Sequence, residues 1–128
     1  MQAIEFILYV KDIEQSKLFY IQTLQREPSL NLPEMVEFEL VENVKLGLMP
    51  EQGIAKIIGN KLEKLSKAWG VPHCELYLKI KGIEAYQKRA LLAGAKEISP
   101  IQNRDWGDRV GYVSDLDGHI LAFAETII

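Results

Sequence analysis

The chain has 128 residues, a formal net charge of −3 and a single cysteine, Cys74. That length suits one domain, or two very small modules sharing a core, and 48% hydrophobic residues is too apolar for a disordered chain. One cysteine and two histidines exclude a disulfide framework and a structural zinc site, and no run of 18 apolar residues offers a membrane span. Mild acidity argues against a nucleic-acid partner, because phosphate binding needs clustered positive charge. The densest basic run, Lys56, Lys61, Lys64 and Lys67, is interrupted by Glu63 and reads as a solvated face. The opening MQAIEFILYVKDIEQ meets a charge at Glu5 with no basic segment before it, which is not a secretory signal, so a cytoplasmic location is expected.

In chain order, the first predicted element is a strand rich in β-branched and aromatic residues that ends near Val10. Lys11-Asp12 then starts a helix whose apolar residues are Ile13, Leu18, Phe19, Ile21 and Leu24. Two strand-like runs follow, Met35–Leu40 and Val44–Met49. Residues 51–72 read as a linker holding a short amphipathic helix through Leu62, Leu65 and Trp69, stopped by Gly70 and Pro72. The pattern then starts again. Glu5–Glu14 laid over Glu75–Glu84, an offset of 70, matches at Glu, Leu, Lys, Ile and Glu. A second helix carries Ile83, Tyr86, Ala90 and Leu91, with Gly94 as its stop. Strands are expected at Glu97–Ile101, Arg109–Ser114 and His119–Ala124, the last two joined by the turn Asp115-Leu116-Asp117-Gly118. The whole is an α+β chain of one domain over 1–128: module one 1–50, linker 51–72, module two 73–128.

Much chemistry is absent. There is no GxGxxG, no phosphate loop and no GxSxG elbow. His73 and Cys74 are neighbours that a strand would point to opposite faces, and Cys74 is expected to be a buried, inert thiol. Asp115–Gly118 resembles part of a calcium loop but lacks the other ligands, and reads as a turn. Two features are sharper. Glu5 and Glu75 are equivalent in the repeat, and each opens an apolar strand. Either they stay at a wet rim, or they face a shared polar cavity in which the two carboxylates approach each other and one holds a raised pKa or binds a cation. The segment Asp105–Tyr112 gathers Trp106, Arg109 and Tyr112. It is either a ligand-recognition wall, or a core Trp with an Arg paired to Asp105 or Asp108.

These motifs resemble the vicinal oxygen chelate superfamily, which includes glyoxalase I, bleomycin resistance proteins, fosfomycin resistance enzymes and extradiol dioxygenases. Phe6–Tyr20 looks like the family's strand, Asp and Ser-x-x-Phe-Tyr helix. Glu75–Leu78 followed by Ala93-Gly94-Ala95 looks like the start of its second module. Trp106–Arg109 through Asp115–His119 to Phe123–Glu125 is similar to the closing motif of bleomycin resistance proteins. The resemblance implies two repeated βαβββ modules whose curved sheets wrap a cavity, usually in a homodimer. It also implies metal-ligand positions at Glu5, Gly47, Glu75 and Ala122. Glycine and alanine offer no side-chain ligand, so no cofactor is expected; a divalent metal, if one exists, would use Glu5, Glu75 and His73.

What persists is the pocket. Alternation from the ligand positions places Ile7 and Tyr9 after Glu5, Met49 after Gly47, Tyr77 after Glu75, and Ala124 after Ala122. Phe38, Trp106, Arg109 and Tyr112 join that lining. Such a surface suits a flat organic ligand, with carboxylates for a cationic group. The expected function is binding of a small aromatic or cationic molecule without a catalytic metal. The alternative is a metal-dependent or metal-free enzyme of the glyoxalase or dioxygenase type, with a carboxylate as general base in the metal-free case.

Overall fold

The computed structural model describes residues 1–59, 72 and 74–128. The chain divides into two compact units, Met1–Ile21 with Gln25–Val71, and Gln22–Leu24 with Pro72–Ile128. The helix expected through Leu62, Leu65 and Trp69, and His73, lie outside the described residues.

In the first unit, β1 (Ile4–Val10) leads into α1 (Ile13–Leu24), then β2 (Leu30–Leu32), β3 (Met35–Val41), β4 (Val44–Pro50) and α2 (Glu51–Ile58). Asp12 caps α1 by accepting a hydrogen bond from the Gln15 backbone N–H at 3.1 Å, as a short acidic side chain before a helix does. Gln25 closes it in the left-handed region, φ 55°. The sheet order is β1-β4-β3-β2, with β1 parallel to β4 and the other pairs antiparallel. The parallel pair follows from topology: the helix carries the chain over one face before β4 returns beside β1. On the helix side Val10, Val36, Phe38, Leu46 and Leu48 are fully buried, and Tyr20 of α1 sets its ring 6.3 Å from that of Phe38. Leu18, expected on the apolar face of α1, is exposed; the buried stripe runs through Ser16, Phe19 and Tyr20 instead.

The second unit repeats the plan: β5 (Glu75–Lys79), α3 (Ile83–Leu92), β6 (Lys96–Asn103), β7 (Asp108–Ser114) and β8 (Ile120–Thr126), in the order β5-β8-β7-β6. Again the first and last strands pair in parallel. The helix side is packed by Ile83, Ala90, Val113, Leu121 and Phe123, with Tyr86 of α3 ringed against Phe123 at 6.0 Å. Gly94, φ 112°, follows the end of α3. Gly111 is a glycine for a packing reason: the space a Cβ would fill there is held by the Gln87 carboxamide and Ile101. Among the described residues, two four-stranded mixed sheets and three helices form the α+β arrangement that the repeat implies. Two elements are additions to the sequence reading, the three-residue β2 and α2 within the stretch assigned as linker.

Candidate functional site

Register decides which side chains share a face. In the first sheet Glu5 lies beside Lys45, Ile7 beside Gly47 and Tyr9 beside Met49, while Glu37 lies across from Gly47. Five expected residues, Glu5, Ile7, Tyr9, Gly47 and Met49, therefore share the face opposite α1, where Lys45 and Glu37 join them. Phe38 does not. It is one residue from Glu37, so it points to the helix side, where it is fully buried; its place in the lining is corrected.

This face is built around a pair of carboxyl groups. The Glu5 carboxyl lies in the space that a side chain at position 47 would need, with Ile7 alongside. It is hydrogen-bonded to Glu37. Lys45 Nζ reaches Glu37 Oε1 at 3.5 Å. Burial of its carboxyl, then the hydrogen bond and the like charge of Glu37, push Glu5 from 4.5 up to about 7, against the pull of Lys45. The hydrogen bond to Glu37 and its like charge both favour the protonated form of Glu5, and Lys45 stands beside Glu37. Glu37 was missed because its partnership with Glu5 runs through Gly47 and is set by strand pairing.

In the second sheet Tyr77 lies beside Ala122, Tyr112 across from Ala122, and Val110 across from Ala124. Val110, Ala122 and Ala124 are fully buried, with Tyr77 and Tyr112 packed on them. Glu75 is on the same face, two residues before Tyr77. The turn between β6 and β7 is short: Arg104 N–H donates to Asp108 O at 2.8 Å, and Gly107 takes φ 94°. That turn brings Trp106 to the face, where its indole Nε1 donates to the Tyr77 hydroxyl at 2.9 Å. Tyr77 in turn donates to Asp108 Oδ2 at 2.6 Å, and Lys79 Nζ lies 3.4 Å from Asp108 Oδ1. The Tyr77 hydrogen bond, helped by Lys79, holds Asp108 below the usual carboxylate range. Burial and the bond to Asp108 raise Tyr77, and burial with the charge of Glu75 raises Tyr112. Trp106 is 59% exposed, so its ring is open to a ligand while its N–H is fixed.

Arg109 is a second correction. Alternation turns it away from Val110 and Tyr112 toward α3, where it is ion-paired with Glu84 and, at 2.8 Å, with Glu125. Neither Asp105 nor Asp108 is its partner. Its single positive charge is met by two carboxylates on the helix side, so its work is to tie α3 to the sheet. The arginine on the aromatic face is Arg104, which lies over the Tyr112 ring at 5.3 Å. Cys74 is also corrected: it is exposed, one residue before β5 begins. At the β7–β8 turn, Asp115 Oδ1 accepts from the backbone N–H groups of Asp117 and His119 at 2.9 and 2.8 Å, and Oδ2 lies 2.9 Å from His119 Nδ1. Asp115, Asp117 and His119 cluster, but the bonds to Asp115 build the turn. No helix among the described residues is long and apolar enough to cross a membrane.

The chain is similar to known proteins along its whole length. It superposes on a glyoxalase-related enzyme from Fulvimarina pelagi with a TM-score of 0.80 at 22% identity, covering 98% of this chain and 88% of that one. It also superposes on a glyoxalase/bleomycin resistance protein/dioxygenase family enzyme from Burkholderia phytofirmans, with a TM-score of 0.79 at 16% identity, covering 96% and 97%. At these identities the likeness is one of fold. Uncharacterized proteins of Mycobacterium bovis and Mycobacterium tuberculosis are 31% identical over 72 residues, 56% of this chain. That match spans 47% and 42% of their own length, so the chain covers under half of each. The family model described as a glyoxalase-like domain matches residues 3–128, and the chain belongs to that family.

Proposed function

We propose that this protein binds a small aromatic molecule carrying a cationic group, without a catalytic metal. The observation that carries the reading is the face of the second sheet. There two tyrosines and an exposed indole stand over a floor of valine and alanines, with Asp108 and Glu75 as acceptors. Flat rings held by hydrogen bonds at their edges offer contact area at little further loss of freedom, and a cation gains from both ring faces and carboxylates.

The donor chemistry does not fit a catalytic metal. Positions 47 and 122 have no side-chain donor, and the carboxyl of Glu5 is committed to Glu37, whose other neighbour is a lysine. Hard divalent ions want several converging oxygens or imidazoles. No step is therefore routed through a metal.

The test is direct binding. With Trp69 replaced by Phe to leave one indole, Trp106 emission is titrated with aromatic ammonium compounds and with their neutral and aliphatic analogues. Aromatic cations are expected to quench at micromolar to millimolar concentrations, more strongly than neutral rings. Equal or absent response to all of them overturns the reading. A second reading, metal-free proton transfer by Glu5 beside Glu37, is favoured by the rise of Glu5 to about 7. Turnover of a substrate lost in Glu5→Gln but kept in Glu75→Gln would select it. A homodimer in the cytoplasm remains our working expectation, and sedimentation equilibrium tests the dimer.

A further inference from the structure

Arg104 is the charged group on the aromatic face that the motif reading did not single out. Its guanidinium is pinned along one edge. Nε donates to the Val110 carbonyl at 3.3 Å. Nη2 donates to Val110 O at 2.9 Å, Pro100 O at 2.9 Å and Ser99 Oγ at 3.0 Å. The plane is held 5.3 Å from the Tyr112 ring centre. Among the described residues Nη1 has one contact, at 3.4 Å to Oε1 of the exposed Gln102, which leaves one of its N–H groups without a partner among them.

Every one of these partners is neutral. Among the described residues no carboxylate is bonded to Arg104, whereas Arg109 has two. Arg26 also bonds only to carbonyls, those of Glu39 and Leu40, but it is not placed against a site ring. Arg104 thus carries a positive charge held by β6 and β7, with its guanidinium carbon 5.3 Å from the Tyr112 ring centre and its Nη1 corner at the exposed Gln102. An arginine held in this way loses little freedom when an oxyanion arrives.

The face carries charges of both signs. Glu75 and Asp108 are acidic, Lys79 and Arg104 basic, and Lys79 is engaged with Asp108. A purely cationic ligand would meet Glu75 favourably and Arg104 unfavourably. Both charges act on Tyr112, Glu75 raising and Arg104 lowering its pKa. A ligand with an anionic and a cationic end, its ring between them, satisfies both.

We propose that Arg104 Nη1 is an anion subsite, and that the molecule bound on this face carries a carboxylate attached to its aromatic ring. This rests on the binding reading above and narrows it from aromatic cations to aromatic zwitterions. Nη2 is fully committed to the strands, so a single carboxylate oxygen is taken at the Nη1 corner, without the paired bonds of a guanidinium fork.

The experiment uses the full-length Trp69→Phe protein and three probes of one shape: 2-naphthoate, 2-naphthamide and 2-naphthylmethylammonium. Titrations of Trp106 emission are run at low and high salt. Naphthoate is expected to bind about tenfold tighter than naphthamide at low salt, with the ratio shrinking at high salt. In Arg104→Gln the ratio falls to near one. The ratio is the readout because a loosened face would weaken both probes alike. If Arg104→Gln fails to fold, Arg104→Lys serves: it keeps the charge but loses the strand-anchored plane, and the ratio falls part-way. Should the ammonium probe bind while naphthoate gains nothing over naphthamide, the anion subsite is refuted and the aromatic-cation reading stands. Should no probe bind, both fall. A naphthoate preference that persists in Arg104→Gln also refutes the assignment to Arg104.

Discussion

Replacing Glu37 by Gln tests the carboxyl pair most directly. In the native protein Glu5 titrates at about 7, so about half of the molecules hold that proton at neutral pH. An ordinary carboxyl at 4.5 would hold it in about 0.3% of them. Burial is the largest cause of the rise, and Glu37 supplies the next two, its hydrogen bond and its charge. Glu37→Gln reverses both. The like charge disappears, the new amide N–H donates to ionised Glu5, and Lys45 loses its partner and is freed toward Glu5. All three changes favour the charged form, so the midpoint is expected to fall by about one pH unit or more, stopping above 4.5 because burial remains. The assay is the side-chain carboxyl carbon shift of glutamate-labelled protein between pH 3 and 9. The sign for stability follows. A carboxyl whose folded pKa is raised stabilises the native state below 4.5, and that contribution is lost as pH rises through 7. Glu5→Gln should remove this slope from urea-unfolding curves. A native Glu5 midpoint near 4.5, or one that Glu37→Gln leaves in place, refutes the pair.

The other perturbations follow from packing and from the aromatic face. Phe38→Ala empties a fully buried position beside Tyr20 and should cost about 3–5 kcal/mol in urea unfolding, with no direct effect on the carboxyl pair, whose groups are on the other face. Gly111→Ala drives a Cβ into the Gln87 carboxamide and Ile101 and should cost about 1–3 kcal/mol, read as a lower Tm. Tyr77→Phe removes the main hydrogen bond holding Asp108 low. Its titration should therefore rise toward 3.8, and the stability lost on acidification should begin to go at higher pH. Trp106, without its acceptor, should shift in emission. An unchanged Asp108 titration in that variant would remove Tyr77 as the cause.

Much of the fold was legible because the repeat is written in features that local chemistry controls. Strand-length apolar runs mark β3, β4, β7 and β8, Asp12 marks a helix start, and Asp115 with Gly118 marks a turn. The elements that escaped are the ones with weak local signals. β2 has three residues, too few for a period of two to show. α2 starts at Glu51 right after β4 ends at Pro50, so strand and helix run together without a polar break. Faces were harder than elements. Phe38 and Arg109 were each assigned by residue type, and each lies one position from a residue that does face the site, Glu37 and Val110. A one-residue difference in a strand inverts the side. Glu37 and Arg104 escaped for another reason: their roles exist only after pairing, one through Gly47 and the other through the carbonyl of Val110.

Gly47 shows how a departure from a family pattern can be read the wrong way round. By resemblance the position is a missing metal ligand, and a glycine there looks like a deletion. In the folded chain the absence of a Cβ is what admits the Glu5 carboxyl, so that glycine and the carboxyl pair are one feature. Gly47→Ala is the test. The group in the way is the far end of a flexible side chain, so Glu5 swings off at little expense, and Ile7, 3.2 Å from the new Cβ, yields slightly. Net stability should change by less than about 1 kcal/mol, because a strand glycine also carries an entropic penalty that alanine relieves. The Glu5 titration should nevertheless drop from about 7 toward 4.5, since the move takes its carboxyl into water and away from Glu37. A Glu5 midpoint still near 7 in the alanine variant would mean that the glycine is incidental, and that Glu37 and burial hold the proton without it.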